Sequence, residues 1–147
     1  MAITASGLFG LSLEKALIDT LGESWEAEDN KVLMVTDTYA PNFDTHDFRD
    51  DITNEVSGTG YTAGGTALTS TELTINSGTL VFDAADVSWA SSTIASAMAG
   101  VYYTNVGAAA TDQLVLLSDF VTAASTTNGT FTIQWAAGGI AIFDYSP

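Results

Sequence analysis

Residues 73–82 read Leu-Thr-Ile-Asn-Ser-Gly-Thr-Leu-Val-Phe, and this stretch decides the fold class. Apolar and polar side chains alternate on both sides of Ser77 and Gly78, a pair that favours a tight turn. Alternation of this kind is typical of half-buried strands. The stretch therefore predicts a β-hairpin.

Other segments of the chain have the same character. Lys31–Thr36 is a short apolar run that predicts a strand buried on both faces, and residues 114–117 form a second run of this type. Further strands are predicted at residues 87–89, 94–103, 131–135 and 140–145, with turns at Asn128-Gly129 and at residues 137–139. Short strands separated by turns indicate a sandwich or barrel. We predict a mainly β, single-domain antiparallel β-sandwich or barrel-like (jelly-roll-like) fold with one short N-terminal helix.

The helix is expected near the start of the chain. Ser12 is a suitable N-cap, and Gly22 is placed to end the helix. Apolar residues recur between them at helical spacing, at Leu13, Ala16, Leu17 and Leu21. Trp25 follows in an acidic loop, and we predict that its large ring packs back on the core.

The chain of 147 residues is long enough for one domain with a sizeable core. We predict an N-terminal arm at residues 1–11, flexible or bound to a partner, and a β-domain at residues 12–147. The arm lacks the basic start and apolar stretch of a secretory signal. No apolar run approaches the roughly 20 residues that span a membrane, so no membrane partner is expected.

Charge restricts the partners further. Only Lys15, Lys31 and Arg49 oppose 18 acidic residues, which gives a net charge of −15. Such a chain repels the phosphates of nucleic acids, so nucleic-acid binding is excluded. Twelve of the acids precede Val56, and the remainder of the chain is rich in Thr, Ser, Ala and Gly. The absence of cysteine excludes disulfides, zinc–thiolate sites and thiol catalysis.

His46 is the single histidine and lies among acidic residues. A histidine beside carboxylates could act as a general base or as a metal ligand. No Gly-x-Ser-x-Gly motif supplies a nucleophile for such a base. We therefore predict that His46 orders its loop through hydrogen bonds and that the protein is not an enzyme.

The acids around His46 could together bind a hard cation through oxygen ligands. Their spacing does not match an EF-hand loop, and a solvated acidic loop is the preferred interpretation. Calcium is the metal that would suit them best, because no thiolate or pair of histidines is present. The candidate ligands are Asp44, Asp47, Asp50 and Asp51. No cofactor is predicted, since the glycines at 58, 60, 64 and 65 lack the lysine of a phosphate-binding loop.

Aromatic residues are frequent in the second half of the chain. At alternating positions of strands they are typical of a core, although a sugar-binding platform is an alternative. The residues concerned are Trp89, Tyr102, Tyr103, Trp135, Phe143 and Tyr145.

Residues 44–65, here called the signature loop, read DTHDFRDDITNEVSGTGYTAGG. This segment resembles one found in a family of small tailed-bacteriophage virion proteins, many described as head decoration or other structural proteins. The likeness covers roughly residues 11–143. It includes the segments LEKAL at 13–17, KVLMV at 31–35, YAPN at 39–42, FDAADVSW at 82–89 and STTNGTFTIQW at 125–135.

The resemblance implies a capsid decoration (cement) protein on the outer surface of the head, assembled in the host cytoplasm. Its partners would be the major capsid protein and further copies of itself, with a trimer as one arrangement. Alternatives are a head-fibre, neck or tail component that recognises the host, or a carbohydrate-binding module. We predict contacts to subunits or capsid from the arm and the segment 42–65, with Leu8, Phe9, Phe43, His46, Phe48, Arg49 and Tyr61 as interface candidates.

Overall fold

The computed structural model describes residues 2–19 and 23–146. These residues form a mainly β domain with two antiparallel sheets and one short α-helix, which confirms the predicted β-sandwich-like class. The helix α1 spans Gly10–Leu17, and a short 3-10 helix spans Arg49–Asp51. The strands are β1 Gly7–Leu8, β2 Lys31–Thr36, β3 Gly58–Thr59, β4 Thr66–Ala67, β5 Glu72–Asn76, β6 Thr79–Asp83, β7 Val87–Tyr103, β8 Leu114–Ile133 and β9 Ala141–Asp144.

The larger sheet has the strand order β1-β8-β7-β2-β4, and β3 pairs separately with β7. The smaller sheet has the order β5-β6-β9. Its first two strands are the predicted hairpin, with Asn76 paired to Thr79 across the Ser77-Gly78 turn. None of the described helices is long and apolar enough to cross a membrane.

The paired strands β7 and β8, here called the ribbon, dominate the larger sheet. They pair from Val87↔Ile133 to Tyr103↔Leu114, and the register shifts at five places along the way. Four ribbon residues other than glycine have positive φ, and each lies at or beside such a shift: Ser91, Ser96, Val121 and Asn128. Extra residues at bulges increase the twist of a strand pair and bend it.

The bent ribbon folds back on itself so that its two ends meet near Gly100. A Cβ at this glycine would lie 3.5 Å from Cδ1 of Ile133 and 3.6 Å from Cζ of Phe120. The ring of Trp135, just beyond β8, lies with its centroid 5.4 Å from that of Tyr102. The two ends of the ribbon thus pack against each other.

The turn predicted at Asn128-Gly129 is therefore wrong, because both residues lie inside β8. Asn128 does have the left-handed backbone that turns require, with φ +48°, but it produces a bulge in a continuing strand. The segments predicted as separate strands at 87–89 and 94–103 are likewise parts of the single strand β7.

The part of the larger sheet formed by β2 and the adjoining ends of β7 and β8 is buried on both faces. On one face Val32, Met34 and Tyr102 pack with Phe82 of the smaller sheet and with Trp25, which confirms the core position predicted for this tryptophan. On the other face Leu33, Val35 and Tyr103 pack with residues that precede α1. The alternation along β2 explains how one short strand serves both cores, as predicted for Lys31–Thr36. Burial of each large apolar side chain contributes about 1.5–3 kcal/mol.

The N-terminal segment is built into the second core. Ile3 and Phe9 have no exposed surface, and Leu8 pairs with Leu116 of β8. The Phe9 ring lies 5.2 Å from that of Phe43, measured between centroids. Residues 2–11 thus differ from the flexible or partner-bound arm expected from the sequence.

This packing also sets the start of the helix. The N–H of Gly10 donates to the carbonyl oxygen of Phe43 at 2.7 Å, and Phe9 takes the N-cap position. The N-cap predicted at Ser12 is wrong, because Ser12 is buried within α1. The helix ends at Leu17, and the predicted end at Leu21 and Gly22 lies outside the described residues.

Candidate functional site

An ion pair whose acidic member is fully buried joins the signature loop to the segment that connects β7 and β8. Nε of Arg49 donates to Oδ2 of Asp112 at 2.8 Å, and the Asp112 side chain has no exposed surface. The other carboxylate oxygen accepts the backbone N–H groups of residues 106–108 at 3.0, 3.0 and 3.2 Å. The charge of Asp112 is thus paired and hydrogen-bonded, as a buried charge must be.

Tyr103 completes this contact. The Arg49 guanidinium lies 5.3 Å from the centre of the Tyr103 ring, a cation–π distance. Partial burial opposes the charge of Arg49, but the hydrogen bond and the charge of Asp112 raise its pKa overall. Arg49 therefore remains protonated, and sequence analysis had no local signal for a partner 63 residues away.

A second group of hydrogen bonds closes the end of the loop. Oε1 of Glu55 accepts both the Tyr61 hydroxyl and the Gly64 N–H at 2.7 Å. The Tyr61 hydroxyl oxygen in turn accepts the N–H of Met34 in β2 at 3.0 Å. The Tyr103 hydroxyl donates to the Gly64 carbonyl at 2.6 Å.

These tyrosines act as hydrogen-bond donors rather than as acids or bases. Burial, followed by the hydrogen bond to Glu55, raises the pKa of Tyr61 far above its ordinary value. Burial raises the pKa of Tyr103 to about 12. Both hydroxyls therefore keep their protons near neutral pH, and their role is to hold the loop in place.

Two glycines let the loop approach the sheet closely. Gly58 in β3 has φ +152° and Gly65 has φ +72°. A Cβ at Gly58 would overlap the carbonyl oxygen of Thr93, and one at Gly65 would overlap that of Val32. Only glycine fits these backbone contacts, as expected from residues that serve turns and close approach.

His46 takes part in the hydrogen bonding predicted for it. Its Nδ1 lies 2.9 Å from the hydroxyl oxygen of Tyr39, a buried residue of the second core. Burial, with a smaller contribution from the charge of Asp51, raises the pKa of Tyr39. The hydroxyl therefore stays protonated, and the direction of its hydrogen bond with His46 is set by the tautomer of the imidazole.

The candidate calcium ligands are not brought together. Oδ2 of Asp51 accepts the N–H of Asp47 at 2.9 Å, and the Asp47 carboxylate lies 3.8 Å from the Lys15 ammonium. Asp44 and Asp50 are exposed. Within residues 2–19 and 23–146, no group of three or more histidines and acids is placed to hold a metal ion.

The interface candidates serve the chain's own fold. Phe9 is fully buried against Phe43, and Phe48 lies under the Lys15 ammonium at 4.2 Å from the ring centre. The others are half-buried with internal partners, namely Leu8, His46, Arg49 and Tyr61. A contact of any of them with another subunit stays a prediction.

The aromatic residues do not form one platform. Trp89, Tyr102 and Tyr103 are buried, Trp135 and Phe143 are half-buried, and Tyr145 is 61% exposed. The half-buried and exposed members belong to two separate depressions.

The first depression is a cleft of about 580 Å³ between the two ends of β8. Its lining includes Asp119, Phe120, Phe131, Gln134 and Trp135. The second, here called the apolar groove, has about 410 Å³ and lies between α1 and the smaller sheet. Its lining includes Leu13, Leu17, Trp25, Leu73, Phe143 and Tyr145.

Sequence analysis missed both depressions because each combines residues from distant parts of the chain. The available signal was the aromatic residues Trp135, Phe143 and Tyr145, which the sequence marked as candidates for a binding platform.

No family model, no curated protein and no solved structure matches this chain.

Proposed function

We propose that this protein is a bacteriophage virion structural protein, and specifically a capsid decoration protein. It would bind the outside of the assembled head without catalysis and without a cofactor. The observation that carries the proposal is the structural role of the signature loop. Its resemblance to tailed-phage virion proteins rests in part on Glu55, Tyr61 and Gly65, which join the loop to the larger sheet.

The residues that carry the resemblance are also residues that hold the fold together, and this supports the proposal. A resemblance carried by residues that hold the fold together is a resemblance of architecture, because replacing them would disturb the packing. A chain with this architecture is therefore expected to serve the mechanical role for which such virion proteins are described.

The distribution of charge is suited to a position on a particle surface. Two of the three cations are engaged inside the molecule, Lys15 with Gln113 and Asp47, and Arg49 with Asp112. The exposed acids keep a densely decorated particle soluble. Residues 120–143, by contrast, contain no charged residue, so further copies or shell subunits could pack there without charge repulsion.

The proposed mechanism is mechanical. Many copies, as monomers or as homo-oligomers such as trimers, would bridge neighbouring major capsid proteins. A stable contact of this kind buries about 1,200–2,000 Å² in total. Separating the capsid proteins would expose that surface again, and the bridged shell would therefore resist expansion by packaged DNA.

Copy number tests this proposal directly. Quantitative mass spectrometry of purified virions would compare this protein with the major capsid protein. Hundreds of copies in a fixed ratio to the capsid protein are expected. A few to several tens of copies would replace decoration by the alternative of a head-fibre, neck or tail component, and absence from the particle would reject the virion role.

The cleft at β8 favours one second candidate, a carbohydrate-binding module. Phe120 and Trp135 are half-buried there beside the polar groups of Asp119 and Gln134. An aromatic face with a few polar groups is a common arrangement in ligand sites. A glycan array would support this candidate if a glycan bound to the native chain and not to Trp135→Ala, and an empty array would exclude it.

A further inference from the structure

The apolar groove is lined by exposed and half-buried apolar side chains of both the helix and the smaller sheet. Leu17 is 79% exposed and Tyr145 61%, although both line the same depression. Trp25 and Phe143 form part of its floor, with ring centroids 6.2 Å apart. Its volume of about 410 Å³ lies within the range of ~300–1,000 Å³ that is usual for ligand sites.

The rim of this groove is acidic. Glu14 follows the groove residue Leu13 in α1, and Glu23 precedes the groove residue Ser24. Oε1 of Glu26 accepts the N–H of the groove residue Leu73 at 2.9 Å, which places a third carboxylate at the edge. The groove therefore combines an apolar floor with a negative border.

No cation offsets this border. Lys15 lies two residues from both Leu13 and Leu17. Its ammonium donates to Gln113, just before β8, and lies over the Phe48 ring. At 100° per residue this position is on the opposite side of α1 from the groove residues Leu13 and Leu17. Neither Lys31 nor Arg49 lines the groove.

We propose that the apolar groove binds a lysine-bearing amphipathic peptide segment of a partner protein. The partner's apolar side chains would fill the groove between α1 and the smaller sheet, in the manner of a helix in a groove. Its lysines would face Glu14, Glu23 and Glu26. An acidic partner, including a second copy of this chain with its charge of −15, is disfavoured by the same border.

Two synthetic 18-residue peptides provide the test. Both have leucines at helical spacing, and one has lysines on the other face where its control has glutamates. A third peptide keeps the lysines and replaces the leucines by glutamine, which measures simple attraction to an acidic protein. Binding of the fluorescently labelled peptides to the full chain would be followed by anisotropy at two salt concentrations.

The lysine-leucine peptide is expected to bind, with each control peptide at least about tenfold weaker. Leu17→Gln should weaken binding about tenfold, and Glu14→Gln about twofold to threefold with a smaller dependence on salt. Val121→Gln is the matched control, because Val121 is 74% exposed and lies outside the groove. It should leave binding unchanged.

Three results would overturn the proposal. The first is equal binding of the lysine-leucine and lysine-glutamine peptides, and the second is an equal effect of Leu17→Gln and Val121→Gln. The third is a dimer of the free chain in sedimentation that Leu17→Gln abolishes, since the groove would then be occupied by a second copy. The inference does not depend on the proposed virion role, which is tested separately by the copy number.

Discussion

The signature loop and the ribbon reach a fixed structure by opposite means. The loop has strands of only two residues, and it is held by side chains with charges or hydroxyls, such as Arg49, Glu55 and Tyr61. The ribbon has strands of 17 and 20 residues with a single charged residue, Asp119, and is held by backbone pairing.

This difference indicates which single substitutions should lower the stability of the fold most. A loop held at a few points loses much of its structure when one point is removed. A ribbon whose stabilisation is spread over many backbone hydrogen bonds and small side chains should tolerate most single substitutions on its exposed face.

The largest loss of stability is expected from a substitution of Asp112, the buried partner of Arg49. Asp112→Ala would leave three N–H groups and the Arg49 guanidinium without their acceptor. The free energy of unfolding should fall by about 3–5 kcal/mol, as for a broken buried ion pair. Urea denaturation measures this change.

Asp44→Ala is the control for that variant, because Asp44 is an exposed acid of the same loop. Its change should remain within about 0.5 kcal/mol. Similar losses in the two variants would mean that general charge, rather than the contact of Asp112, stabilises the loop.

The second largest loss of stability is expected where the loop approaches β2 closely, at Gly65. Gly65→Ala would force a Cβ into the carbonyl oxygen of Val32 at a residue with φ +72°. Steric overlap and left-handed backbone together should cost about 3 kcal/mol. Gly107→Ala is the control, because Gly107 has φ +107° with open space around it, and it should cost only about 1 kcal/mol. Equal losses in urea would show that the β2–β4 contact can relax.

A pH titration tests the hydroxyl group with which Tyr103, at the end of β7, holds the loop. The pKa of Tyr103 is about 12 in the folded chain, against 10.0 for an ordinary tyrosine. The unfolded chain therefore releases this proton first, and stability that is complete below pH 10 is lost as the pH rises toward 12. By pH 11 the loss from Tyr103 alone should be about 1.4 kcal/mol.

Tyr103→Phe should reduce the fall in unfolding free energy between pH 9 and pH 11 by that amount. Parallel curves for the two proteins would show that repulsion among the acids, rather than the buried phenol, causes the alkaline loss.

The smallest expected effect is a gain in stability, from a substitution in the ribbon. Val121 has φ +66°, which is strained for a β-branched residue. Val121→Asn should raise the unfolding free energy by about 1 kcal/mol, because asparagine accepts the left-handed region more readily. Val106→Asn, at an exposed valine without positive φ, should have no such benefit. A gain in both variants would assign the effect to lost apolar surface.

Sequence patterns predicted those elements whose signals are local. The hairpin of β5 and β6 and the two-faced strand β2 follow from side-chain alternation and a short apolar run. At Asn128 the local backbone was inferred correctly and the topology was not, because a left-handed residue serves equally in a turn and in a bulge. The choice depends on whether the flanking residues pair with each other or with β7.

Tertiary contacts explain the other differences between the structure and the sequence-based predictions. Ser12 has the chemistry of an N-cap, but the contact of Gly10 with Phe43 starts the helix earlier. The pair Arg49–Asp112 and the apolar groove join residues that no sequence spacing connects. The group of Glu55, Tyr61 and Gly64 spans only ten residues, and its acceptor and donors were visible in the sequence without a sign that they would meet.

The strand order also has a consequence for synthesis of the chain on the ribosome. β1 pairs with β8, and β2 pairs mainly with β7. Apart from the two-residue contact of β2 with β4, the first third of the protein therefore gains its sheet partners only after about 100 residues have been made. Such late, long-range pairing exposes a nascent chain to aggregation. The twelve acids before Val56 lie in the segment that is synthesised first and paired last. Their mutual repulsion would keep this segment apart from other nascent chains. A chain truncated at residue 86, before β7, should accordingly remain soluble but show little amide protection in β2 by hydrogen exchange.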